Sequence, residues 1–442
     1  MLAKTPQPSK KTLKTEISGL EMGFKYFKTQ LDSGVRILTE EFADFPTVSV
    51  GLWLNVGSRD EEEHETGLTH FIEHLFFKGT KKRSALQIAK ELDRLGGYSN
   101  AFTSKEQTCI HAKVLPEHTS RFLELLADIF LNSNFSAEDI EREKQVVLQE
   151  IKMMEDSPEE LVHELFSQTI WENSPLARSI LGTWENVASF DEAKVKSYFA
   201  KFYNGQNLVI AAAGNLKHEE FAKQVATLFA DVSQGEGKKR IPPSPQRRVA
   251  VISRKLEQVH FVLGVPVCSA RDEMRYQALL FNTLLGGSMS SRLFQEIREK
   301  RALAYAIYSF LSLYEDTGVL GIYAAVEKRN LKEALRLITK EIENLKDGNI
   351  TEEEFSSSLD HLKSALLLSS DNPDTRMSRL ARNEFLFKRY IPYEETLAKI
   401  KELRPKDIAS FAKKSFRDKP TLAILGPLTE EEGTKIFEDL TK

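Results

Sequence analysis

Two histidines and a glutamate lie within one short segment, Gly67–Gly79, in a pattern that can hold a metal ion. From position 68 its apolar residues recur at i, i+3, i+4, i+7 and i+8, which predicts a helix with one buried stripe. At about 100° per residue, His70, Glu73 and His74 share the opposite stripe, and Phe77 continues it. Imidazoles at i and i+4 project toward the same point, so both can bind one zinc ion. Glu73 lies beside them, where a base can take a proton from an attacking water.

A catalytic zinc site also needs a third protein ligand and an open position for water. The helical pattern that begins at Ala137 offers Glu143 and Glu150, seven residues apart on the border of its apolar stripe. A carboxylate in that position is partly buried, which is costly unless it is paired or binds a metal. Two ordinary interpretations stay open at this point. The histidine face is a solvated polar face, or the two glutamates are salt-bridged border residues.

The motif and its spacing resemble those of a known family. A His-x-x-Glu-His motif followed 76 residues later by Glu150 is similar to the zinc signature of the pitrilysin/insulinase superfamily. The resemblance covers nearly the whole chain and is closest to the two-domain branch that includes mitochondrial processing peptidase β subunits and their bacterial relatives. It implies that His70, His74 and Glu150 bind one zinc ion per chain. It also implies a base role for Glu73 and an active-site role for Glu143.

A second segment, Gly96–Thr108, matches the superfamily's substrate strand, an edge to which an extended peptide adds as another strand. The resemblance implies that Asn100 and Ala101 hold the substrate backbone there. It also implies that Phe77 lines the pocket next to the cut. The ordinary alternative for this segment is a Gly-Gly turn that leads into a strand.

A third segment, Ser291–Tyr305, resembles the part of the second domain that completes the superfamily's active site. Arg298 would engage substrate carbonyls, and Tyr305 would hydrogen-bond the developing oxyanion. The ordinary alternative is one more charge on a charged helix and a core aromatic. In this branch a closed clamshell takes four domains. The resemblance therefore implies a homodimer, with zinc from one chain and Arg298 and Tyr305 from its partner.

The elements that position these residues occur twice along the chain. Long helical patterns follow Ser136 and Thr351, an offset of 215 residues, and each candidate N-cap has an acidic residue three positions later. Each pattern stops shortly before a proline, Pro158 or Pro373. At the same offset Glu143 corresponds to Ser358 and Glu150 to Ala365. The pattern predicts a duplicated unit whose second copy binds no zinc.

Short β-rich runs alternate with helical patterns in both halves, which predicts an α+β fold of two duplicated α/β sandwich domains. Each domain would pack helices on a mostly antiparallel sheet, and one chain would form half of a clamshell. The predicted divisions are a polar N-terminal extension (1–20), a zinc-binding domain (21–232), a linker rich in Gly, Pro and charge (233–248), and a second domain without a zinc site (249–442).

The composition limits the possible partners and compartment. The 442 residues carry a net charge of −4, which gives no reason to expect a nucleic-acid surface. Its apolar runs fall short of the roughly 20 residues that span a bilayer, so we expect no membrane insertion. With only two cysteines we expect a reducing compartment, and with no evident leader we expect the bacterial cytoplasm.

The sequence therefore predicts a zinc endopeptidase that cleaves peptides or unfolded segments in a closed chamber. A non-catalytic peptide-binding or scaffold subunit is the main alternative. A metal-dependent hydrolase of non-peptide substrates is a third interpretation, which the predicted peptide-edge strand disfavours.

Overall fold

The computed structural model describes residues 14–21 and 23–440, which form two β-sheets with helices packed on them. This confirms the predicted α+β class and its two sandwich domains. The strands of the first sheet are β1 (Lys14–Glu21), β2 (Phe24–Gln30), β3 (Arg36–Glu41), β4 (Val48–Leu54), β5 (Tyr98–Thr103), β6 (Thr108–Val114) and β7 (Leu208–Gly214). Those of the second are β8 (Val249–Ser253), β9 (Val259–Val267), β10 (Ala304–Leu313), β11 (Gly318–Val326) and β12 (Thr421–Gly426).

The two sheets repeat the same strand order. The first runs β1-β2-β3-β7-β4-β6-β5, and the second runs β8-β12-β9-β11-β10. Only the β3–β7 and β8–β12 pairs are parallel among the described strands, and all the others are antiparallel. The second sheet therefore matches the first from β3 to β5, and the edge strands β5 and β10 are counterparts.

Helices connect the strands in both halves. Those of the first half are α1 (Leu68–Leu75), α2 (Ala85–Arg94), α3 (Thr119–Asn132), α4 (Ala137–Asp156), α5 (Pro158–Ile170), α6 (Trp184–Ser189), α7 (Glu192–Phe202) and α8 (His218–Leu228). Those of the second half are α9 (Arg275–Leu285), α10 (Leu331–Lys346), α11 (Glu352–Ser370), α12 (Pro373–Phe387), α13 (Tyr393–Glu402), α14 (Pro405–Ser415) and α15 (Glu430–Leu440). None of the helices in the described ranges combines the length and the apolarity that crossing a bilayer requires.

The duplicated long helices begin where the sequence predicts. The hydroxyl of Ser136 accepts a hydrogen bond from the Asp139 N–H at the start of α4. The hydroxyl of Thr351 does the same for the Glu354 N–H at the start of α11. Both helices end within three residues of the proline that opens the next helix, because proline cannot continue the hydrogen-bonding pattern.

One helix from each half packs on the sheet of the other half. Helix α5 packs its Val162 and Phe166 against Val262 and Tyr323 of the second sheet. Helix α12 packs Met377 and its neighbours against strands β3, β4 and β7 of the first sheet. A short turn after α4 or α11 carries the chain across. The exchange covers the second face of each sheet with a helix from the opposite half.

The boundaries of the first domain differ in detail from the expectation. The sequence predicts a polar extension over residues 1–20, whereas Lys14–Glu21 pair with β2 as an edge strand. An edge strand has one unpaired side and tolerates a polar composition, which explains why its pattern resembles an extension. Residues 1–13 lie outside the described ranges. Between α8 and β8, residues 233–248 form neither helix nor strand.

Candidate metal centre and active site

Helix α1 carries the two histidines, and its N-terminus is anchored by a buried carboxylate. Glu61 accepts hydrogen bonds from the N–H groups of Gly67, at 2.9 Å, and Thr69, at 2.8 Å. Burial raises the pKa of Glu61 to about 8, although these hydrogen bonds oppose the shift. Gly67 has a φ of 97°, and a Cβ there would lie 2.7 Å from Gly182 Cα. The helix is therefore fixed at its start by groups that the motif does not contain.

Helix α1 ends earlier than its sequence pattern suggests. It stops at Leu75, and the Phe77 N–H bonds to the His74 carbonyl at 3.3 Å in a tighter turn. Phe77 nevertheless lies on the same side as Glu73 and His74, because all three line one cavity. The polar stripe predicted for this segment therefore continues to Phe77, although the last turn is tighter than an α-helical turn.

Three potential metal-binding atoms converge between α1 and α4. Glu150 Oε2 lies 3.8 Å from His70 Nε2 and 3.7 Å from His74 Nε2. Ligand atoms of the three side chains lie within 4.8 Å of one another, and no other cluster of this kind occurs in residues 14–21 and 23–440. The structure thus brings together the three ligands predicted from the sequence.

The donor set fits a zinc ion. Glu150 Oε2, the oxygen nearest both imidazoles, is buried and has no hydrogen-bond partner among the described residues, and a buried carboxylate oxygen is costly to leave unpaired. Burial, with a smaller effect of His74, lowers the pKa of His70 to about 4, which keeps this imidazole neutral. Two imidazole nitrogens and one carboxylate oxygen are the ligands of many catalytic zinc sites.

Glu143 lies behind the cluster and is not a member of it. Its Oε2 is 3.1 Å from His74 Nδ1, and its Oε1 is 2.7 Å from Lys78 Nζ. Its side chain is 5% exposed, whereas that of Glu150 is 36% exposed. Carboxylates in this position fix the orientation of a ligating imidazole. Sequence reasoning missed Lys78, although its position four residues after His74 in the motif segment was a usable signal.

Glu73 is held from the side of the sheet. The hydroxyl of Thr103, on β5, donates to Glu73 Oε2 at 2.5 Å. Burial raises the pKa of Glu73, the Thr103 hydrogen bond and His74 lower it, and Glu150 raises it. Thr103 was also missed by sequence reasoning, although it lies within the segment predicted as the substrate strand.

Strand β5 forms one edge of the first sheet and presents the predicted substrate-binding residues. Asn100 is exposed; its Nδ2 donates to the Tyr98 hydroxyl at 3.2 Å, and its Oδ1 accepts from the Ala101 N–H at 2.9 Å. Asn100, Ala101 and Phe77 line a cavity of about 390 Å³ together with Glu73 and His74. The structure therefore places these residues next to Glu73 and to His74, one of the three candidate metal ligands.

Arg298 and Tyr305 lie in the second half, next to each other. Arg298 belongs to a π-helical segment, Phe294–Glu299, and its guanidinium lies 5.3 Å from the centre of the Tyr305 ring. Tyr305, at the start of edge strand β10, is 80% exposed, so it is not a core aromatic. No hydrogen bond or ion pair found within the described ranges joins either residue to the metal cluster.

Comparisons with known proteins agree with the fold and the motif. The family model "Insulinase (Peptidase family M16)" matches residues 36–184, and "Peptidase M16 inactive domain" matches residues 189–362. The chain is 38% identical over 397 residues to YmxG of Bacillus subtilis, which is named an uncharacterized zinc protease, covering 89% of this chain and 97% of that protein. It is 34% identical over 420 residues to another protein of that description from Streptomyces coelicolor, covering 93% and 92%.

Solved structures show the same fold at lower identity. A protease from Helicobacter pylori superposes with a TM-score of 0.85 at 22% identity, covering 91% of this chain and all of that one. A chain from Pseudomonas fluorescens described as a peptidase M16 inactive domain gives a TM-score of 0.84 at 22% identity, covering 91% and 98%. These structures share the fold, and the family models and the bacterial relatives place the chain in the insulinase family of peptidases, family M16.

Proposed function

We propose that this protein is a zinc metalloendopeptidase, with one zinc ion per chain, that cleaves peptides or unfolded segments. The observation that carries the proposal is the convergence of His70, His74 and Glu150 on one point with Glu73 alongside. Its relatives named zinc proteases are consistent with it. The two unpaired cysteines favour a reducing compartment, and we infer the bacterial cytoplasm.

The protein groups divide the work of peptide hydrolysis. His70, His74 and Glu150 would hold the zinc ion, which when bound supplies Lewis-acid polarisation of the water and the scissile carbonyl. Glu73 would take a proton from the attacking water and return it to the leaving amine. Glu143, bonded to both His74 and Lys78, would fix the ligand's ring in place.

The substrate would bind along the free edge of β5 as an added strand. Main-chain hydrogen bonds to such an edge give affinity without requiring a particular sequence. Asn100 and Ala101 lie at this edge. The Ala101 N–H donates to the Asn100 side-chain oxygen, and a substrate carbonyl would replace that oxygen as the acceptor. A folded domain cannot add an internal strand to this edge, which favours peptides and unfolded segments.

The cavity beside Glu73 would select the residue next to the cut. It is about 390 Å³, and much of its lining is apolar. Its apolar side chains include Phe77, Leu92, Ile110, Phe122, Leu126 and Ile129. We expect peptides with a large apolar side chain at one position adjacent to the scissile bond to be cleaved faster. Product mapping by mass spectrometry of a mixed peptide library will show that preference as one enriched position, and an even distribution would contradict it.

The primary test is zinc dependence of cleavage. Purified protein should contain about one zinc ion per chain. It should cleave a quenched-peptide library, lose that activity on chelation and regain it on addition of zinc. Zinc with no cleavage of any library peptide would favour the alternative, a peptide-binding or scaffold subunit. Cleavage that survives complete removal of zinc would contradict the proposal.

Thr103 should position Glu73 for proton transfer. Thr103→Val keeps the shape and the β-propensity of the side chain but removes the hydrogen bond to Glu73. We expect kcat to fall by about 10- to 100-fold with little change in KM, the range for loss of a supporting hydrogen bond. Thr103→Ser retains the hydroxyl and should keep most of the activity. Equal losses in the two variants would mean that only packing at β5 matters.

We further propose that Arg298 and Tyr305 complete the active site of a partner chain in a homodimer. Their side chains lie together on the second half and make no described contact with the metal cluster of their own chain. Arg298 would bind substrate carbonyls, and Tyr305 would donate to the developing oxyanion. Each chain would then supply half of a clamshell.

Mixing two inactive variants tests this arrangement. Glu73→Gln removes the base and Arg298→Ala removes the substrate contact, so each homodimer should be nearly inactive. After subunit exchange, half of the dimers combine one intact metal site with one intact Arg298, which restores about a quarter of the wild-type activity. No recovery in chains shown to exchange would exclude a site shared between subunits.

A further inference from the structure

A second cavity, of about 490 Å³, lies where residues 237–240 of the linker meet both halves of the chain. It contains no residue of the metal cluster or of strand β5. Six cationic side chains line it: Lys28, Arg36, Lys238, Arg240, Arg271 and Lys388. The acidic residues of its lining are Glu315 and Glu384.

The acidic groups do not balance the cationic ones. Behind the lining, Asp60 pairs with Lys238 and Arg240 at no more than 2.8 Å. Arg59, Glu106 and Asp316 extend the same network. With these included, seven cationic and five acidic groups of the described residues surround the cavity. Counted as formal charges, the excess is two positive charges, although burial lowers the pKa of Lys238 to about 7.

Both lining carboxylates are already engaged. Glu315 pairs with Arg240 at 3.0 Å and with Arg271 at 2.6 Å. Glu384 pairs with Lys28 at 2.9 Å and lies 3.8 Å from Arg36. The excess of charge therefore resides on the groups that these two acids do not neutralise.

Two of the cations, Arg36 and Lys388, have a side-chain nitrogen without a partner among the described residues. The side chain of Arg36 is 9% exposed, and its Nε is buried without a hydrogen-bond partner. Lys388 forms no ion pair within residues 14–21 and 23–440. Burial, followed by the nearby Arg36, lowers the pKa of Lys388. Buried polar groups are normally satisfied, so the unpaired Nε of Arg36, whose Nη2 donates to the Gln206 carbonyl at 2.8 Å, leaves one guanidinium donor for an anionic partner.

We propose that this cavity binds a small molecule carrying phosphoryl groups. Guanidinium groups form paired hydrogen bonds with phosphate oxygens, and the cavity presents Arg36, Arg240 and Arg271. The excess of two positive charges matches a phosphate dianion, and the volume lies within the usual range for small-molecule sites. Because strands β2 and β3, the linker and the end of α12 all contribute, the ligand holds the two halves and the linker together.

Calorimetric titration of the full chain with tripolyphosphate and with inorganic phosphate tests the proposal. The informative variant is Arg271→Gln with Lys388→Gln, because the Arg271 side chain is 45% exposed and Lys388 forms no ion pair with any residue that the structure describes. Lys239→Gln is the matched control, since Lys239 is an exposed linker cation that does not line the cavity. Unliganded thermal unfolding of each variant verifies that the fold is intact.

We expect saturable binding with one site per chain in the wild type and in Lys239→Gln. Binding should weaken about tenfold or more in the double variant, since each of its two substitutions removes charge-assisted hydrogen bonds to the ligand. Tighter binding of tripolyphosphate than of phosphate would identify a polyphosphate or nucleotide ligand. Equal affinities would identify a ligand with a single phosphoryl group. An effect reproduced by sodium chloride at the same ionic strength, or equal binding by the double variant, would overturn the proposal.

Discussion

Replacing Glu73 by Gln is expected to lower kcat for peptide cleavage by about 10²- to 10⁴-fold, the usual contribution of a general base. Glutamine keeps the size of the side chain and can still bond to the Thr103 hydroxyl, which lies 2.5 Å from Glu73 Oε2. It cannot accept a proton from water near neutral pH. The zinc content should not change, because Glu73 is not a member of the cluster formed by His70, His74 and Glu150.

The measurement pairs initial rates on a quenched peptide with zinc analysis of the same sample. Glu117→Gln is a suitable control, since Glu117 is exposed and forms no ion pair among the described residues. Its rate should equal that of the wild type. If Glu73→Gln keeps its zinc and cleaves within about tenfold of the wild-type rate, Glu73 is not the base.

The second large effect concerns stability. Arg376, on α12, has a fully buried side chain, and its Nη1 donates to Glu40 Oε2 of strand β3 at 2.9 Å. Its guanidinium also lies 3.3 Å from the centre of the Phe24 ring. Arg376→Met leaves Glu40 buried without its cation, which should reduce the free energy of unfolding by about 3–5 kcal/mol. Guanidinium denaturation followed by circular dichroism measures the loss.

A surface pair just beyond the same helix gives the control. Arg389 pairs with Glu395 at 2.6 Å, and their side chains are 53% and 35% exposed. Arg389→Met should therefore cost no more than about 1 kcal/mol. Adding Glu40→Leu to Arg376→Met should recover part of the loss, because no unpaired charge then remains. If Arg376→Met and Arg389→Met reduce the free energy of unfolding equally, burial of the Arg376–Glu40 pair does not determine its contribution to stability.

Much of the fold could be predicted because it depends on local patterns. The N-cap residues Ser136 and Thr351, the prolines that follow and the apolar strands mark their own boundaries, and the duplication supplies a second, independent copy of each signal. The exchange of α5 and α12 could not be predicted. An apolar stripe shows that a helix is buried but does not show which sheet it packs on.

The candidate metal ligands could be predicted from sequence because they lie on two helices, at a spacing that resembles a known family's signature. The residues that support it were not, because their roles arise from contacts between distant segments. Thr103 reaches Glu73 from a strand 30 residues away, and Glu61 caps α1 from a preceding turn. The basic cavity is formed by strands, linker and helix end together, and the chain's net charge of −4 conceals it.

The exchange of α5 and α12 also bears on whether either half could stand alone. A single half would leave one face of its sheet bare, because the helix that covers that face comes from the other half. The two halves are therefore one cooperative unit. The second half is required for the fold of the first even though Ser358 and Ala365 stand at the positions of Glu143 and Glu150.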